Sequence, residues 1–178
     1  MQLPGQLPAG LPITWRKWGD CVAKVTVIFL TGDALIDEVI DVFSHGKFSH
    51  VALKINNRII EALGMKKPKD QYPGVWFRDP DEYDDDPNAT RIDVDLPNID
   101  AAEQEAEKLK GTHYGYTDCV FGGIYDNTGL KIPGNELTAN CSETVTRILR
   151  AGGFNILPNV PADDITPNDL AKGLGLNV

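Results

Sequence analysis

The chain has 178 residues, 42% of them hydrophobic, and a formal net charge of −9 at pH 7. This size fits one domain with a single core, and the acidic balance disfavours nucleic acid or an anionic bilayer as a partner. The three cysteines, Cys21, Cys119 and Cys141, are odd in number and widely spaced, which argues against a disulfide framework and a cysteine zinc site. We therefore expect a soluble protein of a reducing environment.

The N-terminal segment, residues 1–24, has prolines at positions 4, 8 and 12 among small and apolar residues. This composition favours an extended arm packed on a single domain formed by residues 25–178. The segment lacks the basic region and the apolar run of a secretory signal, and no stretch approaches the ~20 apolar residues of a membrane span. We expect cytoplasmic synthesis and no transmembrane segment, so release or packaging into a virion would need another route.

The first regular elements are an apolar strand and a helix. Residues 25–30 (Val-Thr-Val-Ile-Phe-Leu) are short, apolar and β-branched, which predicts a buried strand. Asp33 can cap a helix that continues to about Ser44, with apolar residues at helical spacing, and Gly46 would end it. This helix would form one wall of the core.

A β-hairpin is predicted in residues 50–63, where two strand-like runs are joined by an Asn-Asn pair. Asparagine tolerates the positive φ angles that a two-residue turn requires. With Ile55 opposite Arg58, His50 and Glu61 lie on one face of the hairpin as diagonal neighbours. The Glu61 carboxylate can therefore orient the His50 ring.

Residues 64–90 are rich in Pro, Asp and Lys, which favours a long surface loop that Trp76 and Phe77 hold down. Its acidic residues are Asp79, Asp81, Glu82, Asp84, Asp85 and Asp86. They could collect a hard cation, but the segment lacks the glycine and the terminal glutamate of a calcium loop. A solvated loop is favoured over a metal site.

An amphipathic strand and helix follow. Residues 90–96 alternate apolar and polar side chains, as a half-buried strand does. Asp100 and Glu103 form a capping-box signature for a helix to about Lys110, which Gly111 would end. Its predicted buried residues are Ala102, Ala106 and Leu109.

The last third of the chain has loop composition around two helix signals. Residues 113–140 contain several glycines, which favours loop and short helix. In residues 165–170, Thr166 can cap a short helix with Pro167 at its first position.

A complete helix signature with a cysteine in its first turn occupies residues 140–153. Asn140 and Glu143 form a capping box, which places Cys141 at the first helical position. The unpaired N–H groups and the positive dipole end of a helix start favour a thiolate there and can receive a developing oxyanion. The alternative is a buried thiol that only fills space, and the presence of a base decides between the two.

A cysteine nucleophile needs a base within reach and a third group that orients the base. Cys141, His50 and Glu61 supply one of each, whereas His45 lies at a predicted helix end and His113 in a loop. A metal hydrolase using His45, His50 and the acidic loop would lack a dense ligand motif. We therefore expect neither a metal nor a cofactor.

Five blocks of sequence, in chain order, resemble one known family. The blocks are Gly32-Asp33, residues 48–53 (Phe-Ser-His-Val-Ala-Leu), Ile60-Glu61-Ala62, residues 140–143 (Asn-Cys-Ser-Glu) and residues 165–170 (Ile-Thr-Pro-Asn-Asp-Leu). Over about residues 25–171 they resemble the circularly permuted papain-like amidases of the YiiX/YaeF type. These amidases are relatives of the NlpC cysteine peptidases and of lecithin:retinol acyltransferase.

The resemblance implies an α+β, permuted papain-like fold in which an antiparallel sheet packs against the helix that carries the nucleophile. It implies that Cys141 is the nucleophile, that His50 is the general base and that Glu61 orients His50. Either Tyr116 or Tyr114 would correspond to a tyrosine near the oxyanion.

The implied activity is that of a cysteine peptidase or amidase which cleaves an amide or ester through a thioester. A peptide-like or acyl substrate is expected, with peptidoglycan of a phage or bacterial system as the first candidate, and no oligomeric state is implied. The alternatives are an acyl hydrolase or acyltransferase for lipids or small molecules, and a catalytically idle papain-like module that binds a protein or a glycan.

Overall fold

A computed structural model describes residues 22–31, 46–115 and 138–178. Within these ranges the protein is α+β, with seven strands in one sheet and three α-helices. The strands are β1 (Ala23–Leu30), β2 (His50–Ile55), β3 (Arg58–Leu63), β4 (Gly74–Arg78), β5 (Ala89–Leu96), β6 (His113–Tyr114) and β7 (Thr138–Ala139). The helices are α1 (Ile99–Leu109), α2 (Cys141–Ala151) and α3 (Pro167–Gly173), with a 3₁₀ turn at Ala162–Asp164.

The strands are arranged in the order β5-β1-β2-β3-β4-β6-β7. Neighbours from β5 to β6 pair antiparallel, and the two-residue β7 joins β6 in parallel. The predicted hairpin register is confirmed, because Ile55 pairs with Arg58 and Asn56 has a φ of 50°. The strand predicted at residues 25–30 is observed and begins two residues earlier, at Ala23.

The prediction of one long surface loop at residues 64–90 was wrong, because the segment contains β4. This strand lies between β3 and β6 and pairs Trp76 with Glu61. The Val-Trp-Phe run has the residue types that strands favour, but the surrounding Pro, Asp and Lys residues hid it. As a result, β4, which follows Glu61 in the chain, pairs with the strand that contains Glu61.

The two faces of the sheet carry different layers. On one face, Val27, Leu53 and Ile60 belong to the main core together with residues of α1 and α2. On the other face, Ile28, Ala52 and Ile59 form a smaller cluster with Tyr83 from the segment after β4. Because side chains alternate along a strand, His50 and Glu61 share the face of the smaller cluster.

The predicted N-cap residue is confirmed at two of the three helices. Asn140 precedes α2 and accepts the N–H of Glu143, and Thr166 with Asp169 forms a full capping box at α3. For α1, Asp100 was the wrong cap, since Asn98 accepts the N–H of Ala101 and the helix begins at Ile99. The predicted buried residues of α1 are confirmed, and they are Ala102, Ala106 and Leu109.

Several predictions lie outside the described residues: most of the N-terminal arm, the helix at residues 33–44, His45, Tyr116 and nearly all of the predicted loop at 113–140. None of the helices in the described ranges has the length and apolar character that a bilayer crossing requires.

Candidate active site

Cys141 occupies the first position of α2, in the setting that the sequence predicted. The Asn140 side chain accepts the N–H of Glu143 at 2.8 Å, and the Ser142 hydroxyl donates to the carbonyl oxygen of Ile165 at 2.5 Å. The helix is anchored by its apolar stripe, since Val145, Ile148 and Leu149 are fully buried against the sheet. Cap and stripe together fix the place of the thiol, which is itself 6% exposed.

The Glu143 side chain, expected to close the capping box, forms its ion pair with Arg147 at 3.3 Å. Burial raises the pKa of Glu143, against the opposite effects of Arg147 and of the Asn140 N–H. One carboxylate oxygen of Glu143, Oε2, is buried without a hydrogen-bond partner. Glu143 therefore acts at the helix start through its backbone N–H, which binds Asn140, and through its carboxylate, which interacts with Arg147 and the Asn140 N–H.

His50 begins β2, and its position is fixed from both ends of the chain. It pairs with Leu30 of β1, and the preceding residue, Ser49, donates its N–H to the Leu30 carbonyl at 3.0 Å. The Asn168 side chain of α3 binds both backbone groups of Phe48, each at 3.0 Å. The C-terminal helix thus holds the segment that leads into His50, which is 2% exposed.

The Cys141 thiol and the His50 ring act on each other, since the ring lowers the pKa of the thiol and the thiol raises the pKa of the ring. The pairing of β2 with β3 ends at Leu53 and Ile60. Two residues before Leu53, the Val51 N–H interacts with the Cys141 sulfur. The sulfur also accepts the Ser142 N–H at the helix start. The thiol therefore lies at the point where β2 leaves β3.

These contacts shift both pKa values in the direction of an ion pair. Burial raises the pKa of the Cys141 thiol, but the bond with His50 and the two backbone N–H groups outweigh it, so that the pKa is lowered. Burial also lowers the pKa of His50, yet the bonds with Cys141 and Glu61 raise it to about 9. A thiolate beside an imidazolium is the state that these shifts favour.

Glu61 contacts the His50 ring, as the hairpin register predicted. Its Oε2 lies 3.1 Å from His50 Nε2, which leaves Nδ1 as the ring nitrogen that can bond with the sulfur. Glu61 is fully buried. Burial raises its pKa, but His50, Lys67 and Tyr83 together lower it well below the usual range, so the residue is a carboxylate.

Three residues that the sequence did not identify also bind the Glu61 carboxylate. Arg78 Nε lies 2.7 Å from Oε1 and Lys67 Nζ lies 3.1 Å from it, while the Tyr83 hydroxyl donates to Oε2. For Arg78 a signal existed, because it lies two residues from Trp76 on a strand-like run and thus on the same face. Lys67 and Tyr83 carry no local signal, since only the path of the chain brings them to Glu61.

Of the two tyrosines suggested near the oxyanion, Tyr114 is buried in β6 and pairs with Ala139.

Residues of the acidic loop form ion pairs with lysines, including Glu82 with Lys67 at 2.7 Å and Asp84 with Lys54 at 3.5 Å. In the described part of the chain, no group of three or more His, Cys, Asp or Glu side chains could hold a metal ion.

Comparison with known proteins gave no match: no protein-family model, curated protein or solved structure is significantly similar to this chain.

Proposed function

We propose that the protein is a cysteine hydrolase that cleaves an amide or ester bond through a thioester on Cys141. The observation that carries this proposal is the buried series of Cys141, His50 and Glu61, in which His50 binds Glu61 at 3.1 Å and lowers the pKa of Cys141. It supplies a nucleophile, a base and an orienting carboxylate in one buried cluster. A thiol that only fills space would need neither a buried histidine nor a buried carboxylate beside it.

In the proposed reaction, the Cys141 thiolate attacks the substrate carbonyl carbon and the carbonyl electrons move to oxygen. Because Cys141 lies at the first position of α2, the positive end of the helix dipole would stabilise this oxyanion. Collapse of the tetrahedral intermediate expels the leaving group, which takes the proton of the His50 imidazolium and leaves an acyl thioester. Neutral His50 then accepts a proton from water as the water attacks, and collapse releases the acid and restores the thiolate.

The fold we propose is the circularly permuted papain-like one, with His50 preceding Cys141 in the chain. The support is the set of sequence blocks described above, together with an antiparallel sheet against which the nucleophile's helix packs. By the same resemblance, peptidoglycan stem peptide of a phage or bacterial system is the first substrate to test, and a lipid or small acyl compound is the second. This step from fold to substrate is an analogy.

The test is a search for a covalent acyl adduct. The full-length protein is incubated with peptidoglycan fragments and, separately, with phospholipid vesicles, and the intact mass and the Cys141 peptide are then measured. An acyl mass on Cys141 that is absent from the Cys141→Ala variant would name the substrate class. The proposal would be refuted if the protein turned over neither substrate and its thiol alkylated with an ordinary pKa near 8.5.

One rival has an observation in its favour. Cys141 and His50 are only 6% and 2% exposed, as the residues of a catalytically idle binding module would be. The two proposals differ in the charge state of the sulfur. Measured against pH, the rate of alkylation by iodoacetamide should rise well below pH 8.5 for a thiolate paired with an imidazolium, and near pH 8.5 for an idle thiol.

A further inference from the structure

We propose that Lys67, Arg78 and Tyr83 are positioning residues which act on His50 through Glu61, so that the segment after β3 tunes the base of the site. This inference rests on the proposed function. It extends the reacting set of Cys141, His50 and Glu61 by three residues that bind the Glu61 carboxylate.

The geometric basis is that the hydrogen-bonding capacity of the Glu61 carboxylate is completely used. Oε1 receives Arg78 Nε at 2.7 Å and Lys67 Nζ at 3.1 Å, and Oε2 receives the Tyr83 hydroxyl and His50 Nε2. An ionised carboxylate offers about four lone-pair sites. Four donors therefore hold Glu61 in one orientation, in which Tyr83 and His50 share a single oxygen.

A second layer of ion pairs holds two of these donors in place. Arg78 binds Asp70 in a bidentate manner, with Nη1 to Oδ1 at 2.6 Å and Nη2 to Oδ2 at 2.9 Å. Lys67 Nζ lies 2.7 Å from Glu82, and the Lys67 backbone N–H donates to Asp70 at 3.1 Å. An exposed ion pair on a loop would need neither a buried carboxylate at its centre nor a second layer of ion pairs around it.

The consequence for His50 follows from charge. Lys67 and Arg78 neutralise part of the negative potential that Glu61 exerts on the ring. The Tyr83 hydroxyl donates a hydrogen bond to Glu61 Oε2, the oxygen that also binds His50. If one of these donors is removed, Glu61 attracts the imidazolium proton more strongly, so that the pKa of His50 should rise. The titratable or charged groups around Glu61 and His50 are Cys141, Lys67, Asp70, Arg78, Tyr83 and Glu82.

Two variants test this inference, each with a matched control. Lys67→Met removes a cation at Glu61, and Lys69→Met removes one from a side chain that is 90% exposed and faces Asp79. Tyr83→Phe removes a hydroxyl at Glu61, and Tyr72→Phe removes one that donates to the Gly111 carbonyl. Circular dichroism establishes that each variant is folded, and Tyr83→Phe retains the ring that packs in the smaller cluster.

The readout is the pH at which the His50 ring loses its imidazolium proton. This loss is monitored by NMR of the ring protons between pH 6 and 10.5, and the His50 signals are assigned with a His50→Asn variant. We expect both test variants to move this titration upward by roughly half a pH unit or more, and both controls to leave it within 0.2 unit. A role in stability alone would lower the urea midpoint without moving the titration. If neither variant moves it, the inference is wrong.

Failure of the proposed function looks different in this design. It would appear in the wild-type protein, as a Cys141 alkylation profile with an ordinary midpoint near pH 8.5. The His50 titration would still report whether Lys67 and Tyr83 act on the ring. The two ideas can therefore fail separately.

Discussion

Glu61→Gln is the most direct test of the electrostatics of the site. The substitution keeps the shape of the side chain and removes the charge whose Oε2 lies 3.1 Å from His50 Nε2. It also leaves Arg78 and Lys67 facing a neutral amide. The lost negative charge and the uncompensated cations both disfavour a proton on His50, so we expect its pKa to fall from about 9.

The size of the effect follows from the distance and the burial. Two unit charges 3.1 Å apart interact by about 5 kcal/mol at an effective dielectric constant near 20, which is an upper limit. A hydrogen bond to a charged group contributes about 1.5 to 3 kcal/mol. Since 1.36 kcal/mol corresponds to one pKa unit, the smaller range predicts a fall of about 1 to 2 units.

The assay combines the NMR titration of His50 with the pH dependence of alkylation at Cys141. We expect the His50 ring to lose its proton about 1 to 2 pH units lower than in the wild type. The thiolate should form at higher pH, because less of the His50 ring beside it is protonated. Glu107→Gln is the control, since this residue is half exposed on α1 and pairs with Arg58. A His50 titration in Glu61→Gln that coincides with the wild-type curve would refute the reasoning.

Two further predictions concern stability. Asn168→Ala leaves the buried N–H and carbonyl groups of Phe48 unpaired, so it should lower the free energy of unfolding by about 1 to 3 kcal/mol per group in urea titrations. The control, the exposed Asn159→Ala, should change it by less than about 0.5 kcal/mol. Equal effects of the two substitutions would contradict a stabilising role for the bonds between Asn168 and Phe48. Because the pKa of Glu61 is lowered on folding, its ionised form stabilises the fold above its unfolded pKa of about 4.3, and this contribution is lost as the pH falls through the folded value. The difference in unfolding free energy between wild type and Glu61→Gln should therefore narrow below about pH 4.3, and a constant difference between pH 3 and pH 6 would exclude this linkage.

Much of the local structure was accessible from the sequence because it depends on neighbouring residues. The start of α2 follows from Asn140 and the N–H three residues later, and the contact between His50 and Glu61 follows from a two-residue turn. Where a local signal was ambiguous, the prediction failed: Asp100 and Asn98 both have the residue type of a helix cap. In the structure Asn98 is the cap, and its own backbone N–H donates to the Gly152 carbonyl at 3.0 Å.

The sequence by itself therefore determined the helix that presents Cys141 and the hairpin that brings a carboxylate to His50, because both depend on periodicity and turn geometry over a few residues. Only the tertiary structure decided that the two meet, since their contact depends on where β2 leaves β3. It also decided which donors saturate Glu61, because Lys67 and Tyr83 reach it along a chain path that no short-range pattern encodes. Side-chain partners distant in sequence are fixed by the packing of the whole sheet.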